Sequence, residues 1–257
     1  MRHLSWHFRA GLILLLAVTE GAGLAAQAGT STHPLALVWR GPGACQPTCG
    51  TSAAKVARLA GFRTLSVYPG FLDLPNDFAK KAFAEAHLWV QPGGKSATAA
   101  AAMGPELMER VRQFVSDGGG YVGFCAGMFL ATEKIGTSAH TGLGIIPGTT
   151  ELFLKDDPSG TMLDVTVQRG SYKMYYSGGP KLDIDEALLQ AKGGEVIAHY
   201  ADGSVAGIQV PFGRGRVSVV GVHPEASWFW KLFKGIVDLR GERWFAKKMM
   251  KWADTRP

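Results

Sequence analysis

Three residues far apart in the chain carry the types and spacing that nucleophilic chemistry needs. Cys125 stands in "GGGYVGFCAGMFLAT" (118–132), flanked by Gly123 and Gly127 in the form G-x-C-x-G. His223 and Glu225 stand two apart in "GVHPE" (221–225). A thiol becomes a nucleophile when a base is at hand and a third group orients that base. His223 supplies the imidazole, and Glu225 a carboxylate to hold it. On a strand, residues i and i+2 point the same way, so the pair is expected to face the thiol in line. The alternative is a small cysteine buried in a core strand, which has no need of a positioned base.

The local pattern explains the glycines. "YVGFC" reads as a strand and "AGMFLAT" as the start of a helix. A turn that sharp strains its central residue and leaves no room for side chains on either side. Cys125 then projects at a helix N-terminus, where the helix dipole and an imidazolium from His223 both favour the thiolate over the thiol. A developing oxyanion needs backbone donors. The turn "QPGG" supplies Gly93 and Gly94, and the N–H of Ala126 is the natural second donor. Read alone, the same glycines are just a turn.

These residues need a frame, and the first half of the chain provides one. "PLALVWR" (34–40), "RTLSVY", "HLWVQPGG" and "YVGFC" read as strands. Between them lie the helical stretches "TSAAKVARLAG", "NDFAKKAFAEA" and "GPELMERVRQFVSDGGG". The last has Pro105 near its start and Leu107, Val111, Phe114 and Val115 on one face. This β-α alternation predicts a doubly wound, mostly parallel α/β sheet with ligands at the carboxyl ends of its strands. In the second half "DVTVQ", "YKMYYSGG", "EVIAHY", "SVAGIQVP" and "GRVSVVGVHPE" read as short strands, with "PFGRG" as a hairpin turn. They predict antiparallel additions to the sheet, the last strand carrying "HPE" to the site.

Length and composition allow one large α/β domain in 257 residues. Residues 1–28 read as a targeting segment: Arg2 and Arg9 in a positive region, the apolar run "AGLILLLAV", and the small-x-small pattern "AQA" with cleavage after Ala28. An uncleaved anchor is the rival reading. The expectation is a single periplasmic or secreted domain over 29–257 with no stable membrane anchor. The formal charge is +6, with many basic residues in "LRGERWFAKKMMKW" (239–252). No nucleic-acid motif accompanies them, so this stretch reads as an amphipathic helix docked through Trp244, Phe245, Met249 and Trp252. Neither a metal nor a cofactor is expected, and the oligomeric state is not set by the sequence.

An exported chain lives where disulfides persist. Cys45 and Cys49 lie four apart, and an odd count of three cysteines suggests one pair and one free thiol. The division expected is a Cys45–Cys49 disulfide shaping the loop after the first strand, with Cys125 free. A metal site is the rival for the pair, but zinc would need about two more ligands, and none is near.

Taken together, "GPGA", "QPGG", the G-x-C-x-G elbow, "PGT" (147–149), "YYSGGP" (175–180) and "GVHPE" resemble the class I glutamine amidotransferase-like superfamily. Within it, the chain is similar to the N-terminal domain of eukaryotic biotin–protein ligases and to stand-alone bacterial relatives. The resemblance implies a flavodoxin-like amidotransferase fold and a Cys125–His223–Glu225 triad. It does not imply biotin ligation, since no biotin- or ATP-binding motif appears. Tyr175, Tyr176, Gly178 and Gly179 form a candidate substrate loop. The resemblance also shows a departure: amidotransferases usually carry a substrate-holding glutamine four residues past the cysteine, where this chain has Phe129. The function expected is hydrolysis of an amide bond in a small molecule or peptide. The alternatives are a binding protein that keeps the pocket without turnover, with "YYSGGP" and "SWFWKLF" (227–233) as its recognition surface, and a thiol redox protein.

Overall fold

A computed structural model describes residues 33–45, 48–156, 160–168, 170–233, 235, 237 and 241–256. Residues 1–28, which the sequence suggests are a targeting segment, lie outside them. The first half runs β1 (Leu35–Trp39), α1 (Thr48–Leu59), β2 (Arg63–Val67), α2 (Phe78–Glu85), β3 (Ala86–Gln91), α3 (Ser96–Ser116), β4 (Gly120–Phe124) and α4 (Ala126–Ala131). The second half adds β5 (Thr149–Leu152), β6 (Thr161–Val167), β7 (Gly170–Tyr176), β8 (Pro180–Asp183), α5 (Glu186–Ala191), β9 (Glu195–Tyr200), β10 (Val205–Phe212), β11 (Gly215–Val220), α6 (Trp228–Phe233) and α7 (Arg243–Ala253).

The sheet order is β2-β1-β3-β4-β11-β10-β9-β6-β7, with β8 paired to β10 and β5 to β8. The pairs from β2 to β11 are parallel and those beyond are antiparallel. This is the mixed α/β sheet that the alternation of elements predicts. Strand order reverses beside β1, so the crevice outside the carboxyl ends of β1, β3, β4 and β11 is where such a sheet gathers a site.

Both faces of β1 and β4 are covered, which is why every residue of these two strands is buried. Leu35, Leu37 and Trp39 enter one core layer with Leu107, Val111, Phe114 and Val115 of α3. Ala36 and Val38 enter the other with Val56 and Ala57 of α1 and Phe245, Met249 and Met250 of α7. The period of two sends alternate residues of β1 to opposite faces. Each large apolar side chain so buried is worth about 1.5–3 kcal/mol. Of the four α7 residues expected to dock, Phe245 and Met249 are buried. Trp244 stays exposed, and Trp252 lies half-buried under the Arg216 guanidinium, 5.2 Å from its ring centre. Among the described residues no helix is long and apolar enough to cross a membrane.

Three local differences from the sequence reading have physical reasons. Helix α3 begins at Ser96 rather than near Gly104, because the alanine-rich tract before it is itself a strong helix former. The chain breaks at Gly104 (φ 68°, ψ 168°) and restarts at Pro105, since a proline cannot sit inside a continuous helix. The expected hairpin does form, Gly213 and Arg214 turning between Phe212 and Gly215. Strand β11, however, ends at Val220, so His223 and Glu225 lie in the turn beyond it. The strand rule for i and i+2 therefore does not place them; the turn does, closed by Ala226 N–H donating to His223 O at 3.1 Å.

Candidate functional site

Cys125 sits between β4 and α4 with φ 49° and ψ −103°, a region that non-glycine residues avoid. Such strain costs roughly 1–3 kcal/mol and persists only where its surroundings fix it. The fixing is visible. Cys125 N–H donates to Val220 O at 2.8 Å, which ties the elbow to β11. A Cβ on Gly123 would lie 2.7 Å from the carbonyl of Gly127, and one on Gly127 would lie 2.6 Å from Gln91 O. The two flanking glycines are required by close approach, as their spacing suggests. Met128 N–H and Phe129 N–H turn back to Cys125 O at 2.9 and 3.4 Å. The earlier N–H groups of this helix, Ala126 included, have no intrahelical acceptor.

His223 is held from three sides. Its N–H donates to Tyr175 O at 2.8 Å, its Nδ1 donates to Glu225 Oε1 at 2.9 Å, and its ring meets Trp230 edge-on with centres 4.8 Å apart. Both His223 and Glu225 are buried, and Glu225 Oε2 has no partner among the described residues. Burial opposes charge on the imidazole. The adjacent Cys125 and Glu225 outweigh it and push His223 up to about 10. The imidazolium is therefore the form present through the neutral range, and it is lost only as pH rises through that value.

Gly93 marks where the two groups meet. A Cβ there would fall 2.3 Å from His223 Cε1 and 3.3 Å from Cys125 Cβ. Gly94 (φ +139°) forms a bridge with Ala44, flanked by Cys45 N–H donating to Gly93 O at 3.2 Å and Lys95 N–H to Gly43 O at 2.7 Å. Across a trans peptide the carbonyl and the next N–H point oppositely, so the Gly94 N–H turns away from the β1–α1 loop.

A disulfide joins Cys45 of that loop to Cys49 in the first turn of α1, with Cα atoms 5.1 Å apart, and Cys125 is the free thiol. Cys49 packs with Tyr175, Ala226 and Trp230, so the loop reaches the cover of the site. Non-reducing peptide mapping should find one linked Cys45–Cys49 peptide and an alkylatable Cys125. Linkage of Cys125 to either partner would contradict both the pairing and the active-site reading.

The candidate substrate loop divides. Tyr175 faces the site, its ring centre 5.8 Å from that of His223. Tyr176 does not: successive residues of a strand point to opposite faces, and its ring lies in the core beside Phe153 and Tyr200. Its hydroxyl donates to Gly179 O at 3.1 Å and accepts from Leu154 N–H at 3.0 Å. Gly178 turns the chain at φ 65°. A Cβ on Gly179 would fall 1.7 Å from Gly221 O. Tyr176 and Gly178 thus shape the loop after β7, and Gly179 sets that loop against the one that carries His223. The carbonyl that does reach the thiol is that of Ser177, 3.6 Å from Cys125 Sγ.

Sequence reasoning did not single out Trp230. The run "SWFWKLF" shows only an aromatic cluster, and which ring turns inward depends on the turn after His223. It also missed the buried ion pair of Lys231 with Glu242 at 3.0 Å, which ties α6 to the start of α7. A lysine in a mixed helix gives no local sign of burial.

With this geometry, the comparisons with known proteins define a class. A solved glutamine amidotransferase superposes with a TM-score of 0.59 at 18% identity, over 85% of this chain and 98% of that one. A cytoplasmic protein of Salmonella typhimurium LT2 superposes at 0.52 and 10% identity, over 86% and 99%. The fold is that of the class I glutamine amidotransferase-like proteins. Within that class, residues 79–162, which include Gly93 and the elbow but not His223, match the family model described as biotin-protein ligase, N terminal. The chain is 26% identical over 208 residues to the biotin–protein ligase of Schizosaccharomyces pombe, covering 69% of this chain and 32% of that protein. It spans about a third of that relative's length.

Proposed function

We propose that this protein is an exported cysteine hydrolase that cleaves an amide-type bond through Cys125, His223 and Glu225. The observation that carries the reading is His223, bound to Glu225 at 2.9 Å and set beside a strained elbow cysteine. The Cys125 thiolate attacks the substrate carbonyl carbon, forming a C–S bond, and the N–H groups of Gly94 and Ala126 take the oxyanion. His223 gives its proton to the amide nitrogen as the C–N bond breaks and the amine leaves. Water, deprotonated by His223, then attacks the thioester, releasing the acid and restoring the thiolate–imidazolium pair. Export is supported by the N-terminal targeting pattern and by a disulfide that an oxidising compartment would keep.

Burial of Cys125 and His223, each 2% exposed, favours a second reading in which the site binds a ligand without turning it over. Intact-mass analysis after incubation with a library of small amides and peptides separates the two. An acyl adduct on Cys125 that is absent from Cys125→Ala supports the hydrolase; specific binding with no adduct puts the binding protein in front.

Glutamine is a poor candidate substrate. Phe129, one turn past Cys125, walls a groove of about 290 Å³ together with Ser96, Ile135 and Leu152, and a ring cannot replace an amide's hydrogen bonds. Losing such a partner costs about 1–3 kcal/mol, or on the order of tenfold to a hundredfold. Glutaminase turnover is expected to be weak or absent, and a rate matching a committed amidotransferase would refute this.

A further inference from the structure

A second cavity lies between α7 and the sheet, on the face opposite α3 and apart from Cys125. It has a volume of about 130 Å³ and is walled by Ile197, Gln209, Trp244, Phe245, Lys248 and Met249. Most of this wall is apolar, but its sheet side is not. Gln209 on β10 alternates with Ile208 and Val210, which enter the α3-side core, so its amide points into the α7 layer. It is 4% exposed, and its side chain's one hydrogen bond among the described residues runs from Nε2 to Ser218 Oγ at 3.2 Å. Whichever way the amide is turned, one polar end is left without a partner where the cavity opens. That end is not sealed in the core; it opens on the cavity, where water or a ligand can meet it.

We propose that this cavity binds a single-ring aromatic carboxylate carrying a second hydrogen-bonding group on the ring. The volume suits the ring alone, since dry cavities of about 150 Å³ accept benzene, so the carboxylate reaches out past the cavity rim to the exposed Lys248. Phe245 and Trp244 offer ring faces and edges, and the Met249 thioether is suited to an aromatic edge. The ring substituent meets the free end of Gln209. The carboxylate meets Lys248, an exposed residue whose Nζ now donates to the uncharged Gln168 Oε1 at 2.7 Å, a partner that an anion can displace. Gln168 in turn donates to Glu195 at 3.4 Å, so the acid of this corner is engaged away from the lysine. Arg243, Lys247 and Lys251 add positive charge along the same helix and favour an anionic ligand.

The test is titration of the full chain with 4-hydroxybenzoate, benzoate and phenol, followed by indole and methyl NMR signals. The hydroxy acid should shift the Trp244 and Met249 signals saturably, with the other two about tenfold weaker. Lys248→Met should weaken both acids by about tenfold and leave phenol unchanged. Gln209→Leu should erase the advantage of the hydroxyl group. If Gln209→Leu does not fold, the exposed Lys248→Met decides alone. No saturable shift by any probe up to about 10 mM, or acid binding indifferent to Lys248→Met, overturns the proposal.

Discussion

Iodoacetamide should label Cys125 nearly as fast at about pH 6 as at about pH 8, where an ordinary thiol loses most of its reactivity over that interval. A free cysteine titrates near 8.5, so at pH 6 well under about 1% of it is thiolate. His223 is charged until pH climbs through about 10. Throughout the lower range an imidazolium therefore faces the sulfur, and a positive charge beside a thiol favours its reactive form. Replacing His223 by alanine would leave Glu225 buried with neither oxygen paired, so the variant to use is His223→Gln, whose amide can still donate to the carboxylate. It should lower the pH 6 labelling rate by on the order of a hundredfold and make the profile rise with pH like that of a free thiol. Glu225→Gln should have a smaller effect, because it removes one of two neighbours that favour the imidazolium and leaves the other. Slow labelling in the wild type, unchanged by His223→Gln, would identify a buried structural cysteine and favour the binding-protein reading.

How much of this site was readable beforehand depended on the range of the interaction. The elbow was readable because its cause is local: Gly123 and Gly127 are neighbours in sequence and in space, and a Cβ on either would strike backbone. The parallel half was readable for a similar reason, since β1 and β4 are buried at every position and have regular helical stretches between them. His223 and Glu225 were expected to share a strand face and instead share a turn, because the β-ladder stops at Val220. Their adjacency in sequence sufficed for contact under either geometry. Long-range packing was not readable. Trp230 meets His223 edge-on, and Lys231 is buried against Glu242; both depend on how α6 returns over the site, which no periodicity in six residues encodes. Tyr175 and Tyr176 look alike in the sequence, and only the direction of β7 assigns one to the site and the other to the core.

That same packing makes Gly179→Ala the most damaging small substitution expected near the site. The loop after β7 and the loop after β11 meet backbone to backbone: a Cβ on Gly179 would fall 1.7 Å from Gly221 O, and one on Gly221 would fall 2.0 Å from Pro180 O. Neither contact can be relieved by a side-chain rotation. Tyr200 Oη donates to Pro180 O at 2.8 Å and Gly221 N–H donates to Ala206 O at 2.8 Å, so both loops are also pinned from behind. Overpacking of this kind usually costs about 1–3 kcal/mol. Where the obstacle is a fixed carbonyl, a cost of at least about 3 kcal/mol is expected, which at this chain length lowers Tm by roughly 6–12 °C. Gly203→Ala is the control. That glycine has φ +84° but nothing within 4 Å of an added Cβ, so it should lose only about 1 kcal/mol from backbone strain. Whatever folded Gly179→Ala protein remains should also label slowly at Cys125, because Gly221 lies two residues before His223 and a displaced loop moves the imidazole off the thiol. Thermal melts of the two variants and of wild type, read beside their labelling rates, check both halves. Equal melting of Gly179→Ala and Gly203→Ala would mean that the two loops do not meet as closely as the structure places them.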